Sequence, residues 1–307
     1  MSHSRYCDSI AVTVFVAVSV VWYNKTKVSM CCFFLWDGLI GGYRMMICID
    51  KERCIGCGQC AKDCIVHSIQ VVDGKAEMIQ KRCLQCGHCV AVCPVEAVTI
   101  PGMPESEVLP VTGMKTATAD TLLNLIKTRR SVRFYQDKAV EPEKITAIME
   151  AGRFTPTGAN VQTTRYVVVT ERLNAFKDIV VDGLALLGHE VVQMILGSDF
   201  HKERSQTSCT SLTFNAPHVL IVICGGPVCT PMNGVLAAQS MELMMHALGL
   251  GACYNGFTER VLNSSSVAKE FLQLQDGEQV SACLYFGYPD MKYYRTVSRK
   301  PAVVTWM

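Results

Sequence analysis

Apolar residues along the chain cluster into blocks whose spacing differs from one region to the next. Near the start, Ile10 to Tyr23 is a nearly unbroken apolar run, followed by a shorter one from Cys31 to Ile40. Ile69 to Ile79 carries short apolar stretches on either side of Asp73-Gly74, which predicts two short strands joined by a two-residue hairpin turn. Beyond residue 116 the spacing becomes helical. Asp120 reads as the N-cap of a helix with Leu122, Leu123, Leu125 and Ile126 inward. Pro142 suits the first turn of another, with Ile145, Ile148 and Met149 inward and a stop near Gly152. Tyr166 to Thr170, His218 to Cys224 and Val280 to Phe286 read as strands. Gly234 to Leu248 is apolar almost all round and predicts a buried helix closed by Gly249 or Gly251. Helices and strands mixed in this order predict an α+β layered architecture.

Cysteine spacing sets the chemistry. Cys54, Cys57, Cys60 and Cys64 form a C-x2-C-x2-C-x3-C run, repeated at Cys83, Cys86, Cys89 and Cys93 with Pro94 following. This is the doubled spacing of a bacterial-type ferredoxin with two [4Fe–4S] clusters, and it does not suit zinc. In that motif the fourth cysteine of each run ligates the other cluster. One cluster is therefore expected on Cys54, Cys57, Cys60 and Cys93, and the second on Cys83, Cys86, Cys89 and Cys64. Ile65 stands where Pro94 stands in the second run, which is expected to loosen one turn and leave the ligand count intact.

Composition narrows the rest. A net charge of +2 gives no nucleic-acid signal, and 50% hydrophobic residues allow a sizeable core in 307 residues. Nine of the 17 cysteines lie outside the two runs without a regular framework, so reduced thiols and a cytoplasmic setting are expected. The run Ile10–Tyr23 is shorter than the roughly 20 residues that span a bilayer. Residues 1–46 read as an extension outside the structural part of the protein, such as a mis-assigned start, with membrane anchoring as the lesser alternative. Residues 47–100 form the ferredoxin-type domain, the Pro- and Gly-interrupted residues 101–117 a linker, and residues 118–307 the second domain.

Four blocks of the second domain, in order, resemble the FMN-dependent nitroreductases. They are Arg129 to Phe134, Pro156 to Gln162, Ala237 to Gly251, and Ser298 to Pro301. The whole chain is similar to ferredoxin–nitroreductase fusions. The resemblance implies a nitroreductase-like flavin domain and a homodimer, with Arg129, Ser131 and Arg299 on the FMN phosphate and Arg130 as a further contact. Guanidinium forks and a hydroxyl suit that dianion. It also implies Arg133 at the N1/O2 edge of the flavin, and contacts from Pro156, Thr157, Gly158, Asn160 and Gln162, some of them across the dimer. The Asn255-Gly256 loop is implied to supply a backbone amide to flavin N5. Gly158 replaces a frequent serine, Thr163-Thr164 a Pro-Trp pair, and Asn255 a glutamate common in one branch. Taken as bare residues, Arg129 and Arg130 equally suit a helix C-terminus, Arg133 a surface, and Asn255-Gly256 a turn. His246 with Met241, Met244 and Met245 reads as core.

The function implied is an oxidoreductase passing electrons from the clusters to FMN and on to nitro compounds, quinones or similar small acceptors. A low-potential donor such as ferredoxin, or NAD(P)H, supplies them; no G-x-G-x-x-G follows a strand, but nicotinamide stacks directly on FMN in this family. A redox relay or sensor serving a protein partner, and another flavin-dependent reduction such as reductive dehalogenation, are the alternatives. Residues 181–208 are expected to form a lid that decides between them.

Overall fold

The computed structural model describes residues 46–80, 82–184, 213–226, 228 and 230–307. The apolar run Ile10–Tyr23 and residues 185–208 of the expected lid lie outside the described residues. No helix among the described residues is long and apolar enough to cross a membrane. The described residues form two compact units: 46–80 with Cys89–Met103, and Arg82–His88 with the described part of Pro104–Met307.

The smaller unit is built on two antiparallel ribbons. β1 (Cys48–Ile49) pairs with β4 (Val98–Thr99), and β2 (Ile69–Val72) pairs with β3 (Lys75–Met78). The hairpin turn is where the sequence predicts it: Asp73 and Gly74 both have positive φ, at 48° and 73°, as a two-residue primed turn requires. A short helix, α1 (Gln59–Asp63), carries the third cysteine, Cys60, and α2 (His88–Ala91) lies in the second run.

In the larger unit a four-stranded antiparallel sheet has the order β5-β6-β8-β7, with β5 at Thr164–Val169, β6 at His218–Cys224, β7 at Gly251–Tyr254 and β8 at Gln279–Gly287. Helices cover both faces, which is why β6 is apolar from Val219 to Cys224 rather than alternating. Its Val219, Ile221 and Ile223 pack with Phe176, Val180 and Leu184 of α5 (Leu173–Leu184), with Val261 and Leu262 of α7 (Gly256–Ser264), and with Ala268 of α8 (Ser266–Phe271). The alternate residues Leu220 and Val222 pack with Ile148 of α4 (Pro142–Arg153) and with Ala238, Met241 and Met245 of α6 (Thr230–Ala247). α6 closes with Gly249 at φ 77°: Leu250 N–H bonds Met245 O at 2.8 Å and Gly249 N–H bonds His246 O at 3.1 Å. That double bond is the glycine-dependent helix stop, and it settles the choice between Gly249 and Gly251.

Three expectations need correction. The N-cap of α3 (Ala119–Thr128) is Thr118, whose hydroxyl accepts from Thr121 N–H at 3.2 Å; Asp120 sits in the first turn. No residue of α3 is buried, and Leu122, Leu123 and Ile126 are nearly half exposed. α6 is not buried all round, since Met232, Val235 and Leu236 are exposed while Asn233, Ala237, Ala238, Met241, Glu242 and Met245 face inward. Propensity reads an apolar helix as buried, but a single chain covers only one side of each.

Candidate functional site

The smaller unit contains a small pocket, open in part to solvent, lined by Cys54, Cys57, Cys60 and Cys93. Ile49, Ile55, Ala76, Val95, Ala97 and Val98 supply apolar walls. Cys93 thus joins the first three cysteines of the other run, as the crossed ligation requires. Backbone amides face the sulfurs: Ala76 N–H to Cys54 Sγ at 3.3 Å, and Ala97 N–H to Cys93 Sγ at 3.2 Å. Burial opposes ionisation of Cys54, but the amides of Ala76 and Gly56, together with Lys75 and Lys51, outweigh it and hold the thiol below its ordinary value. Burial, reinforced by Cys54 and Cys57, pushes Cys60 up. Thiols with amide donors and an apolar shell fit an iron–sulfur cluster, because such donors and shells set its potential. Among the described residues no three His, Cys, Asp or Glu side chains converge as around a single ion.

The two fourth-cysteine turns are alike. Ser68 N–H bonds Cys64 Sγ at 3.4 Å as Ala97 N–H bonds Cys93 Sγ, and His67 and Glu96 hold positive φ of 50° and 49°. His67 N–H bonds Cys64 O at 2.9 Å, against 3.4 Å for Glu96 N–H to Cys93 O. The turn with Ile65 in place of proline is therefore not loosened, since the i-to-i+3 backbone bond holds it without a ring.

In the larger unit the chain leaves α3 at Thr128 and runs extended beside β7. Ser131 bridges Ala252 in parallel, and Val132 N–H bonds Ala252 O at 2.9 Å. A Cβ on Gly251 would stand 2.4 Å from Val132 Cγ2, so only glycine lets the segment lie this close. Tyr135 fastens its far end, donating to Val132 O at 2.6 Å with Tyr285 O at 3.0 Å. Burial raises its phenol far above the ordinary value, so the hydroxyl stays a donor. Tyr135→Phe is expected to destabilise the unit by about 1–2 kcal/mol, because buried carbonyls lose their donor; denaturant unfolding measures it.

This segment places Arg129, Ser131 and Arg133 along the β7 edge and the C-terminal half of α6. Arg129 Nη1 donates to Glu242 Oε1 at 2.9 Å, and Arg133 lies over the Phe214 ring at 5.9 Å. Thr128 Oγ1 bonds His246 Nε2 at 2.9 Å, and burial with nearby Arg129 pulls His246 down.

Residues 126–288, more than half of the chain, match the nitroreductase family, and residues 46–94 match the 4Fe-4S dicluster domain. The chain belongs to the nitroreductase family. It is an oxidoreductase of that family with an N-terminal 4Fe-4S dicluster domain. Two archaeal relatives carry the name NADH dehydrogenase/NAD(P)H nitroreductase. The one from Methanothermobacter thermautotrophicus is 28% identical over 44% of this chain and 60% of its own length. The one from Archaeoglobus fulgidus is 22% identical over 54% of this chain and 84% of its own. This chain therefore spans less than two thirds of the first. Among solved structures, an FMN-bound nitroreductase from Bacteroides fragilis is 22% identical, covering 60% of this chain and 98% of that one at a TM-score of 0.49. Another, from Desulfitobacterium hafniense, is 23% identical, covering 60% and 97% at 0.47.

The remaining expected flavin residues of this nitroreductase fall in three places. The loop Pro156 to Gln162 meets the first turn of α6, where Gly158 N–H donates to Asn233 Oδ1 at 3.0 Å, and Thr155 just before it bonds Ser240 Oγ at 3.1 Å. Asn233 and Glu242 are nine residues apart, about 14 Å along the helix, so the contacts of Gly158 and of Arg129 fall at different levels of α6. Ala159, Asn160 and Gln162 hold positive φ near 50°, a strained backbone held by Gln162 N–H to Thr157 Oγ1 at 3.1 Å. The Asn160 amide donates to Leu84 O and Gln85 O at 3.1 and 2.9 Å, within the same unit.

Arg299 lies in an exposed tail without regular structure and bonds Ser298 O at 3.5 Å. Asn255 is the N-cap of α7, its side chain accepting from Thr258 N–H at 2.9 Å while its own N–H goes to Cys283 O at 2.9 Å. The amide left for a ligand is that of Gly256, which opens the helix where no intrahelical acceptor exists. Sequence reasoning missed Glu242. Its signal was an acidic residue in the middle of an otherwise apolar helix face.

Proposed function

We propose that this nitroreductase binds FMN and two [4Fe–4S] clusters, and passes electrons from a low-potential donor or NAD(P)H to nitro compounds, quinones or similar small acceptors. The observation that carries the reading is the Arg129–Ser131–Arg133 segment fastened along β7 in a chain whose other unit gathers Cys54, Cys57, Cys60 and Cys93 around one cavity. Two guanidinium groups and a hydroxyl on a fixed backbone fit a phosphate at one end and an electron-rich ring edge at the other. When bound, FMN supplies the junction between single-electron and hydride chemistry. The chain's own part is to hold it: Arg129 and Ser131 on the phosphate, Arg133 as the cation that stabilises charge on the reduced ring, and the Gly256 amide toward N5.

A homodimer completes the site. The half-exposed apolar residues of α3 and of the outer face of α6, and a tail with Trp306 91% exposed, are surfaces that a second copy would cover. The second copy would also bring its loop Pro156 to Gln162 and its Arg299 to the first chain's Arg129. The thiol-rich composition suits a reducing, cytoplasmic setting.

Anaerobic purification with iron, sulfide and flavin counted, followed by turnover with nitroaromatics and quinones, tests the reading. Two [4Fe–4S] clusters and one FMN per chain are expected. Arg129→Ala and Arg299→Ala are each expected to weaken flavin binding by about 1.5–3 kcal/mol. Full flavin retention in both variants counts against the phosphate assignment. Flavin buried from small acceptors, with turnover only toward a protein, would favour a relay.

A further inference from the structure

We infer that Glu242 is a positioning residue for the flavin phosphate, acting through Arg129; the inference rests on the reading that Arg129 meets that phosphate. Glu242 is on the inward face of α6 and 3% exposed, a rare place for a carboxylate. Both of its oxygens are engaged: Oε1 accepts from Arg129 Nη1 at 2.9 Å and Oε2 from Gln239 Nε2 at 3.2 Å. Burial pushes its carboxyl up from the ordinary range, and Arg129 pulls against that. Such a group costs stability unless its partner is held, so its presence calls for a reason beyond packing.

The geometry supplies one. Arg129 is the cap residue of α3, at a point where the chain turns extended and its side chain is not held by the helix. A guanidinium has five donors on a planar fork. Committing Nη1 to a carboxylate fixed on a rigid helix sets the plane of the fork and leaves the other donors for a second anion. The Arg129 side chain keeps 23% of its surface exposed, so the pair is not sealed on the arginine side. His246, one turn further along α6, is tied to Thr128 and pulled toward its neutral form, so it is a poor second cation for Glu242. Holding Arg129 in place before the ligand arrives removes ordering entropy from the binding step.

The test uses the full-length protein freed of flavin and titrated with FMN and with riboflavin, which lacks the phosphate. Glu242→Gln keeps the size of the side chain and removes its charge. It is expected to weaken FMN about tenfold and leave riboflavin unchanged. Glu242→Asp keeps the charge but draws the carboxylate back by a methylene, and is expected to lose FMN affinity by a smaller factor. In an Arg129→Ala background Glu242→Gln should add nothing, since the two act as one unit. Unchanged or tighter FMN binding in Glu242→Gln overturns the inference, as does a parallel fall in riboflavin affinity or an additive loss in the double variant. An Arg129→Ala variant with an unaltered FMN-to-riboflavin ratio overturns the phosphate reading itself, a different result from any of these.

Discussion

Cys93→Ala is expected to destroy the same iron–sulfur cluster as Cys60→Ala, although the two cysteines lie in different sequence runs. The cavity in the smaller unit is lined by Cys54, Cys57, Cys60 and Cys93 together, and the amides that face Cys54 and Cys93 come from Ala76 in β3 and from Ala97 just before β4. A cubane needs four thiolates, and a run of three closely spaced cysteines supplies three corners. Removing any one of the four should therefore leave that cavity unable to hold its cluster while the second set survives. Each variant should retain about half the iron and sulfide of the parent. Their low-temperature EPR spectra after reduction should show the same single remaining cluster. If Cys93→Ala instead grouped with Cys83→Ala and Cys86→Ala, the crossed ligation would be wrong.

Removing residues 1–115 is expected to leave a protein that binds FMN but loses most turnover driven by reduced ferredoxin. The residues proposed for the flavin all lie beyond Thr128, and the four-stranded sheet and its two helical layers are built from Pro142 onward. The deletion takes away the two carbonyls that accept from Asn160 and the Glu107 carboxylate that pairs with Arg153, losses at the surface and not in the core. What disappears is the path for single electrons. A chain that joins the cluster domain to the flavin domain keeps donor and acceptor at an effective concentration on the order of millimolar. Without it the donor must meet the flavin directly. Activity driven by NAD(P)H needs no cluster and should survive, which provides the control for folding and flavin content. Anaerobic rates with each donor decide the matter: equal ferredoxin-driven rates in full-length and shortened protein would remove the clusters from the entry path.

Much of this was legible along the chain. The two cysteine runs, the Asp73-Gly74 turn and the strand His218–Cys224 each depend on contacts a few residues apart or on uniform burial, and sequence states both directly. The strand β7 was not anticipated, because four residues at a sheet edge have no alternation to read. The crossed set of thiols was readable only through the motif, while the cavity itself depends on β1 pairing with β4.

The flavin residues divide in the same way. Sequence alone supplied the residue types for a phosphate and a ring edge, since a guanidinium fork and a hydroxyl are chemistry carried by the side chain wherever it lies. Tertiary structure decided which of them are neighbours. It put Arg129 against Glu242, gave the Asn255 side chain to a helix cap, and set Gly158 against Asn233 at the other end of α6. The reason is that such neighbours come from elements distant in sequence. Their distance is set by how α6 crosses the sheet and by how closely Gly251 lets residues 131–132 approach β7, neither of which is written in any local pattern.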